Sequence, residues 1–167
     1  MKSKMLLLVI LCLVTSCAMR KVKCTDGEKV FVPRHPEEAY KPYARELEAN
    51  LVGTAKLTDR IELSNVAGNV KTEVISLREQ LNQYSSQCEN IIKASFQSFS
   101  SHPCDTVIRN YHYNLLKLIA IENAAVEKLN AGITDVISSG NMAGIDDAKL
   151  KSIIDKYNQN NVDNLFK

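Results

Sequence analysis

Two stretches of this chain keep an apolar seven-residue repeat, and that repeat restricts the fold more than any other feature. Leu63, Val70, Leu77, Tyr84 and Ile91 recur every seven residues, and Ala67, Val74, Leu81, Cys88 and Ser95 fill the interleaved positions. On a helix, residues three and four apart share a face, so the pattern writes one seam of about four heptads. A second seam runs through Ile108, Leu115, Ile119, Val126, Leu129, Ile133 and Val136, with His112 and Glu122 as polar interruptions. Between the seams, "SSHPC" supplies a turn and a proline suited to a helix start. Folding about Ser101 and His102 sets Ile91 opposite His112, Tyr84 opposite Ile119, Leu77 opposite Val126 and Val70 opposite Ile133. The expected core motif is an antiparallel helical hairpin.

The second seam is apolar beyond one stripe, through Leu116, Leu118, Ile121, Ala124 and Ala125. One neighbour would leave that surface wet, so this helix is expected at the centre of at least three. Pro36 followed by Glu37 and Glu38 suits a helix start, and Leu47, Leu51, Leu57 and Ile61 give an earlier stripe, weakened by Gly53 and broken near Asn65 to Asn69. After the turn "SSGNMAG", Asp146 reads as an N-cap, with Ile145 and Leu150 spaced as a hydrophobic staple and Leu150, Ile153, Ile154 and Tyr157 as the buried face. The closing "NQNNVDNLFK" is too rich in asparagine to extend that helix securely. The fold class is therefore all-α: the hairpin extended to a three- or four-helix bundle with long, coiled-coil-like helices, over residues 37–167.

The N-terminus follows other rules. Met5 to Val14 is a ten-residue apolar run behind Lys2 and Lys4 and ahead of Thr15 and Ser16. That is half of the roughly 20 residues a membrane-spanning helix needs, and it has the three-part layout of a secretory signal. The run ends Val14-Thr15-Ser16-Cys17, an aliphatic residue, two small ones and a cysteine, which resembles the lipobox of bacterial lipoproteins. The resemblance covers the first tenth of the chain and implies that residues 1–16 are removed and that Cys17 becomes a lipidated N-terminus. Three acyl chains are implied, and at about 0.8 kcal/mol per buried CH₂ even two hold a protein on a membrane almost permanently. Cys12 leaves with the signal. In lipoproteins of the enteric type an aspartate after the cysteine favours the inner membrane; Ala18 and Met19 lack it, so outer-membrane attachment facing the periplasm is preferred to the inner membrane or the cell surface, given a source with two membranes. Beyond the lipobox, no family resemblance is evident.

Residues 17–36 read as the lipidated terminus and a tether. Thr25-Asp26-Gly27 signals a turn, Pro33 and Pro36 obstruct pairing, and only Lys29 to Val32 suits a short strand. Arg20, Lys21 and Lys23 form the single basic cluster, and ordinary linker charge is favoured over attraction to anionic headgroups. The full chain has 21 basic and 19 acidic residues; loss of Lys2 and Lys4 leaves 19 against 19. A neutral mature protein argues against nucleic acid as a partner.

Catalytic and metal motifs are scarce. The histidines are His35, His102 and His112, and no HExxH, phosphate loop, GxSxG elbow or paired-cysteine metal pattern occurs. Cys88, His102, Cys104 and His112 could gather at the hairpin turn, but their spacing fits no regular metal site. The expectation is no enzyme, no catalytic or metal residues and no cofactor. Outside the cytosol, Cys24, Cys88 and Cys104 are candidate disulfide participants, an odd number. Cys88 to Cys104 requires the first hairpin helix to end near Ile92; otherwise the two lie about 16 Å apart along the axis, against a Cα limit of roughly 7 Å. Cys24 is the mobile partner available to either.

The function these features favour is a membrane-anchored envelope lipoprotein whose helical domain is structural or binds a protein partner or its own copy. The alternative is a periplasmic binding or inhibitor lipoprotein that captures a ligand, toxin or enzyme. An exposed apolar seam would favour the first, and a deep pocket lined by Tyr111, His112 and Tyr113 the second.

Overall fold

The computed structural model describes residues 19–62, 66, 68–140 and 144–160. The signal segment, the lipobox with Cys17 and the final "NVDNLFK" lie outside the described residues, as do the seam positions Leu63 and Ala67. The elements in chain order are β1 (Met19–Lys23), β2 (Lys29–Pro33), α1 (Pro36–Ala39), α2 (Lys41–Glu62), α3 (Gly68–Ser101), α4 (Thr106–Ser139) and α5 (Asp147–Asn160). The chain is mostly helical, with one small antiparallel sheet of β1 and β2.

Helices α3 and α4, each of 34 residues, form the expected hairpin, about 51 Å long at 1.5 Å per residue. Asp105 caps α4, its carboxylate accepting from the Val107 and Ile108 amides at 2.8 and 3.1 Å. The turn thus ends on an aspartate N-cap, with Pro103 inside the turn instead of opening the helix. Buried residues of α4 fall at 112, 115, 119, 122, 126, 129, 133 and 136, every position of the expected seam except Ile108, which packs on a separate cluster, and Asn123 beside the seam is buried as well. On α3 the seam positions Val70, Val74, Leu77, Leu81, Cys88 and Ser95 are buried and Tyr84 half-buried, but beyond Cys88 Ile92 is fully buried and Ile91 only half. A straight helix drifts about 20° per heptad against a 3.5-residue repeat, so the inward face passes to Ile92, Phe96 and Phe99.

Helix α2 rests on α3 and α4, and α5 rests on α4 and α3. The contacts Asn50 to Asn123 and Thr54 to Asn130 make α2 parallel to α4, while Lys149 to Asp135 and Tyr157 to Glu122 make α5 antiparallel to it. The apolar face of α2 is Leu47, Leu51, Thr54, Thr58 and Ile61, two threonines sitting fully buried in the stripe. The α5 start follows its sequence signals: Asp146 accepts from the Lys149 amide at 3.0 Å, and Leu150 and Ile154 are buried. Gly132 on α4 admits α5 closely, since a Cβ there would stand 3.0 Å from Ile153 Cγ2.

The expectation of a tether needs correction. Residues 19–33 form a β-hairpin around Thr25-Asp26-Gly27, with Gly27 at φ 87°, a left-handed conformation that favours glycine. Its inner side chains Val30 and Val32 pack with Cys24 and Phe99 into a second small core, joined by Val22 and Ile108. The folded unit therefore takes in residues 19–33 and a small sheet, and is mostly helical instead of all-α over 37–167. Helix α4 sits at the centre of at least three helices, as expected, packing against α2, α3 and α5. At 14 residues, α5 spans about 21 Å and covers only the C-terminal half of α4. Ile121 is 52% exposed, Val107 and Tyr111 more so, and Leu118 only half-buried, so part of the wider apolar surface of this central helix stays uncovered.

Candidate functional site

Among the described residues, three polar arrangements in the apolar interior stand out, and one lies where α5 ends against α4 and α3. Glu122 occupies a seam position and is 3% exposed. The Tyr157 hydroxyl donates to its Oε1 at 2.6 Å, and its Oε2 has no hydrogen-bond partner among the described residues. Burial raises the carboxyl above its ordinary value, opposed by the Tyr157 hydrogen bond. Tyr157 is itself pushed upward by burial and by Glu122, and the neighbouring Cys88 thiol is pushed up to about 11, chiefly by burial. Burial thus disfavours the charged form of acid, phenol and thiol alike.

Tyr157 also forms the floor of a groove of about 810 Å³ between α4 and α5. Its walls are Ile121, Ala124, Ala125, Leu129 and Ile153, with Lys128 and Lys156 among the lining residues. The exposed Ile121 belongs to this groove. Such a surface could take the apolar body of a small amphiphile with an acidic group near the lysines.

The second arrangement surrounds His112. Its ring stacks on Phe99 at 4.4 Å, meets Phe96 edge-on at 4.7 Å, and its Nδ1 lies 2.9 Å from Ser95 Oγ. Burial lowers its pKa. The imidazole serves as a packed aromatic, so the expected alternative of a pocket lined by Tyr111, His112 and Tyr113 does not match this geometry: His112 is buried, while Tyr111 and Tyr113 are exposed. The third arrangement joins α2 to α4. Thr54 donates to Asn130 Oδ1 at 2.6 Å, Asn130 Nδ2 donates to the Asn50 carbonyl at 3.1 Å, and Asn50 Nδ2 lies 3.5 Å from Asn123 Oδ1. The sequence carries only a slight signal for it, since Asn123 and Asn130 lie directly beside the seam positions Glu122 and Leu129.

Cys24 and Cys104 are joined by a disulfide, their Cα atoms 5.5 Å apart, and Cys88 is a free, buried thiol. Because α3 continues to Ser101, the condition for a Cys88 to Cys104 bond is not met. Cys88, His102, Cys104 and His112 are not brought together as a ligand set, and no cluster of three or more His, Cys, Asp or Glu suited to a metal occurs among the described residues. Among the same residues no helix is long and apolar enough to cross a membrane. No family model, curated protein or solved structure matches this chain.

Proposed function

We propose that this chain is a bacterial envelope lipoprotein, held by acyl chains on Cys17, whose helical domain is a structural or protein-binding module and not an enzyme. The observation that carries the reading is the Cys24 to Cys104 disulfide. Such bonds persist in oxidising compartments, the destination a secretory signal implies. The bond begins seven residues after Cys17, so the domain would sit directly at its anchor with hardly any tether. Attachment to an outer membrane on its periplasmic side is the destination favoured by Ala18 and Met19. Within this reading α3 and α4 act as long, coiled-coil-like helices, and the exposed Val107, Tyr111 and Ile121 on α4 supply apolar surface for a protein partner or a second copy.

Mass spectrometry of the mature N-terminus, with fractionation of a Cys17→Ser variant, tests the anchor. The expected result is cleavage before a lipidated Cys17 and loss of membrane attachment in the variant; an unmodified Cys17 ends the reading. Crosslinking in the native envelope tests the role, and recovery of one envelope complex is expected. A second reading, a binding or inhibitor lipoprotein, draws on the α4–α5 groove. Recovery of a secreted hydrolase or toxin, or of a bound amphiphile lost on Ile121→Lys substitution, would establish it instead.

A further inference from the structure

Strand pairing brings together side chains that look unrelated in the sequence. In the β1–β2 register Lys21 stands opposite Phe31, Lys23 opposite Lys29 and Met19 opposite Pro33. Directly opposed residues share a face, and side chains alternate along each strand. Lys21, Lys23, Lys29, Phe31 and Met19 therefore occupy the side turned away from the bundle, although Pro33 opposite Met19 is buried, while Val22, Val30 and Val32 face Phe99 and Ile108. Phe31 is 56% exposed, with the Lys21 ammonium 5.9 Å from its ring centroid. A large aromatic left in water beside an ammonium group, on a face that also carries Lys23 and Lys29, contributes little to the fold, since the hairpin already packs through its other face.

We propose that this outward face docks on an anionic lipid surface, the three lysines meeting headgroup phosphates and Phe31 and Met19 entering the interfacial layer. The proposal deepens the anchored-lipoprotein reading and rests on it for placing a membrane beside Met19, two residues after Cys17. Charge complementarity selects the occupant. Glu28, the acidic residue that ends the turn, is drawn to the bundle side by Arg109 at 3.0 Å, and Asp26 accepts the Glu28 amide. Glu37 and Glu38 engage His35 and Lys41 on α1 and beside it. None of Lys21, Lys23 and Lys29 has a carboxylate within ion-pair distance among the described residues, so the face carries three uncompensated positive charges around an apolar centre. Basic residues flanking an exposed aromatic are the composition of interfacial anchors.

The hairpin is also rigidly coupled to the helices. Besides the Cys24 to Cys104 bond, Arg20 Nη2 donates to the Ser100 carbonyl at 2.9 Å and Ser100 Oγ to the Pro33 carbonyl at 3.3 Å. Docking the hairpin would therefore orient the whole bundle at the membrane, a task a lipid on a flexible tether could not perform.

The chain contains no tryptophan, so Phe31→Trp at this exposed position installs a single reporter. The full chain carrying it is recovered from its host, its N-terminus is analysed by mass spectrometry, and it is placed on vesicles of phosphatidylcholine with or without phosphatidylglycerol, both containing brominated acyl chains. Blue-shifted, bromine-quenched emission is expected on the anionic vesicles, relieved by high salt. Each of Lys21→Gln, Lys23→Gln and Lys29→Gln should lower the ratio of docked to undocked reporter about fivefold, with helical circular dichroism unchanged. Aqueous emission from a correctly lipidated protein on anionic vesicles would overturn the docking surface and leave the anchor standing. Quenching with an unmodified N-terminus would do the reverse. Equal quenching on both vesicle types, indifferent to the lysines, would overturn the headgroup assignment.

Discussion

The disulfide offers the most quantitative test of how this small fold holds together. Cys24 and Cys104 are 80 residues apart, so the bond closes a loop that takes in the hairpin turn, α1, α2 and all of α3. Cross-linking removes loop-closure entropy from the unfolded chain, about 15 cal/mol/K for a loop of this size or about 4.5 kcal/mol at 25 °C in the chain-entropy model. The perturbation is Cys24→Ser with Cys104→Ser, both changed so that neither thiol can pair with Cys88. Equilibrium unfolding in urea, followed by circular dichroism, should show a stability loss approaching that figure. In thermal melts the midpoint should fall by roughly 9 to 18 °C, at about 2–4 °C per kcal/mol for a domain of this size. Native secondary structure should persist, because Val30, Val32 and Phe99 still pack without the bond. Alkylation of the denatured, unreduced mature chain should label Cys88 alone. A loss below about 1 kcal/mol, or labelling of Cys24 and Cys104, would refute the argument that this bond constrains the unfolded state.

Leu115→Ala should cost about 2–5 kcal/mol, because Leu115 is buried in the main core, whereas Leu118→Ala, at a half-buried position, should cost clearly less; equal losses in urea titration would contradict the observed α4 orientation. Burial raises the folded-state pKa of Glu122, so its stability contribution is full below the unfolded value of 4.5 and is lost as pH rises through the folded value. Glu122→Gln keeps an acceptor for Tyr157 and should be more stable than the parent at neutral pH and level with it in acid, a slope that urea midpoints across pH would reveal or exclude. His112 has the opposite sign: burial lowers its pKa, so stability is full above the unfolded value of 6.5 and falls as pH drops through the folded value. His112→Gln should lose that acid-side slope, and an unchanged slope would assign the titration to another group.

Periodicity within a few turns of helix was legible from residues alone. The α3–α4 hairpin, its turn at 101–105, the break between α2 and α3 and the Asp146 cap of α5 all depend on residues three to seven apart, a spacing at which side-chain position follows from helix geometry. For the candidate site, the sequence marked Glu122 and Cys88 as seam positions and Tyr157 as a buried-face residue. It did not reveal that Tyr157 hydrogen-bonds Glu122 from 35 residues away. Nor could it tell that α5 is too short to cover Ile121, because helix length and helix docking are separate quantities.

The N-terminal third shows the division most clearly. Val14-Thr15-Ser16-Cys17 is a local motif, and the lipid anchor it implies is a matter of sequence alone. Residues 17–36 read as a tether because Thr25-Asp26-Gly27, Pro33 and Pro36 leave only Lys29 to Val32 as a short strand, and strands of five residues have little stability by themselves. Only the tertiary structure supplied what makes it fold: Phe99 and Ile108 beneath the valines, Cys104 for Cys24, and the backbone around Ser100 for Arg20 and Pro33. Those partners are distant in sequence, so no local pattern records them. The same pairing decided that Lys29 and Phe31 join Lys21 and Lys23 on one surface. A charge cluster is a property of the sequence, whereas a charged face is set by register, and register depends on which contacts the folded chain can bury.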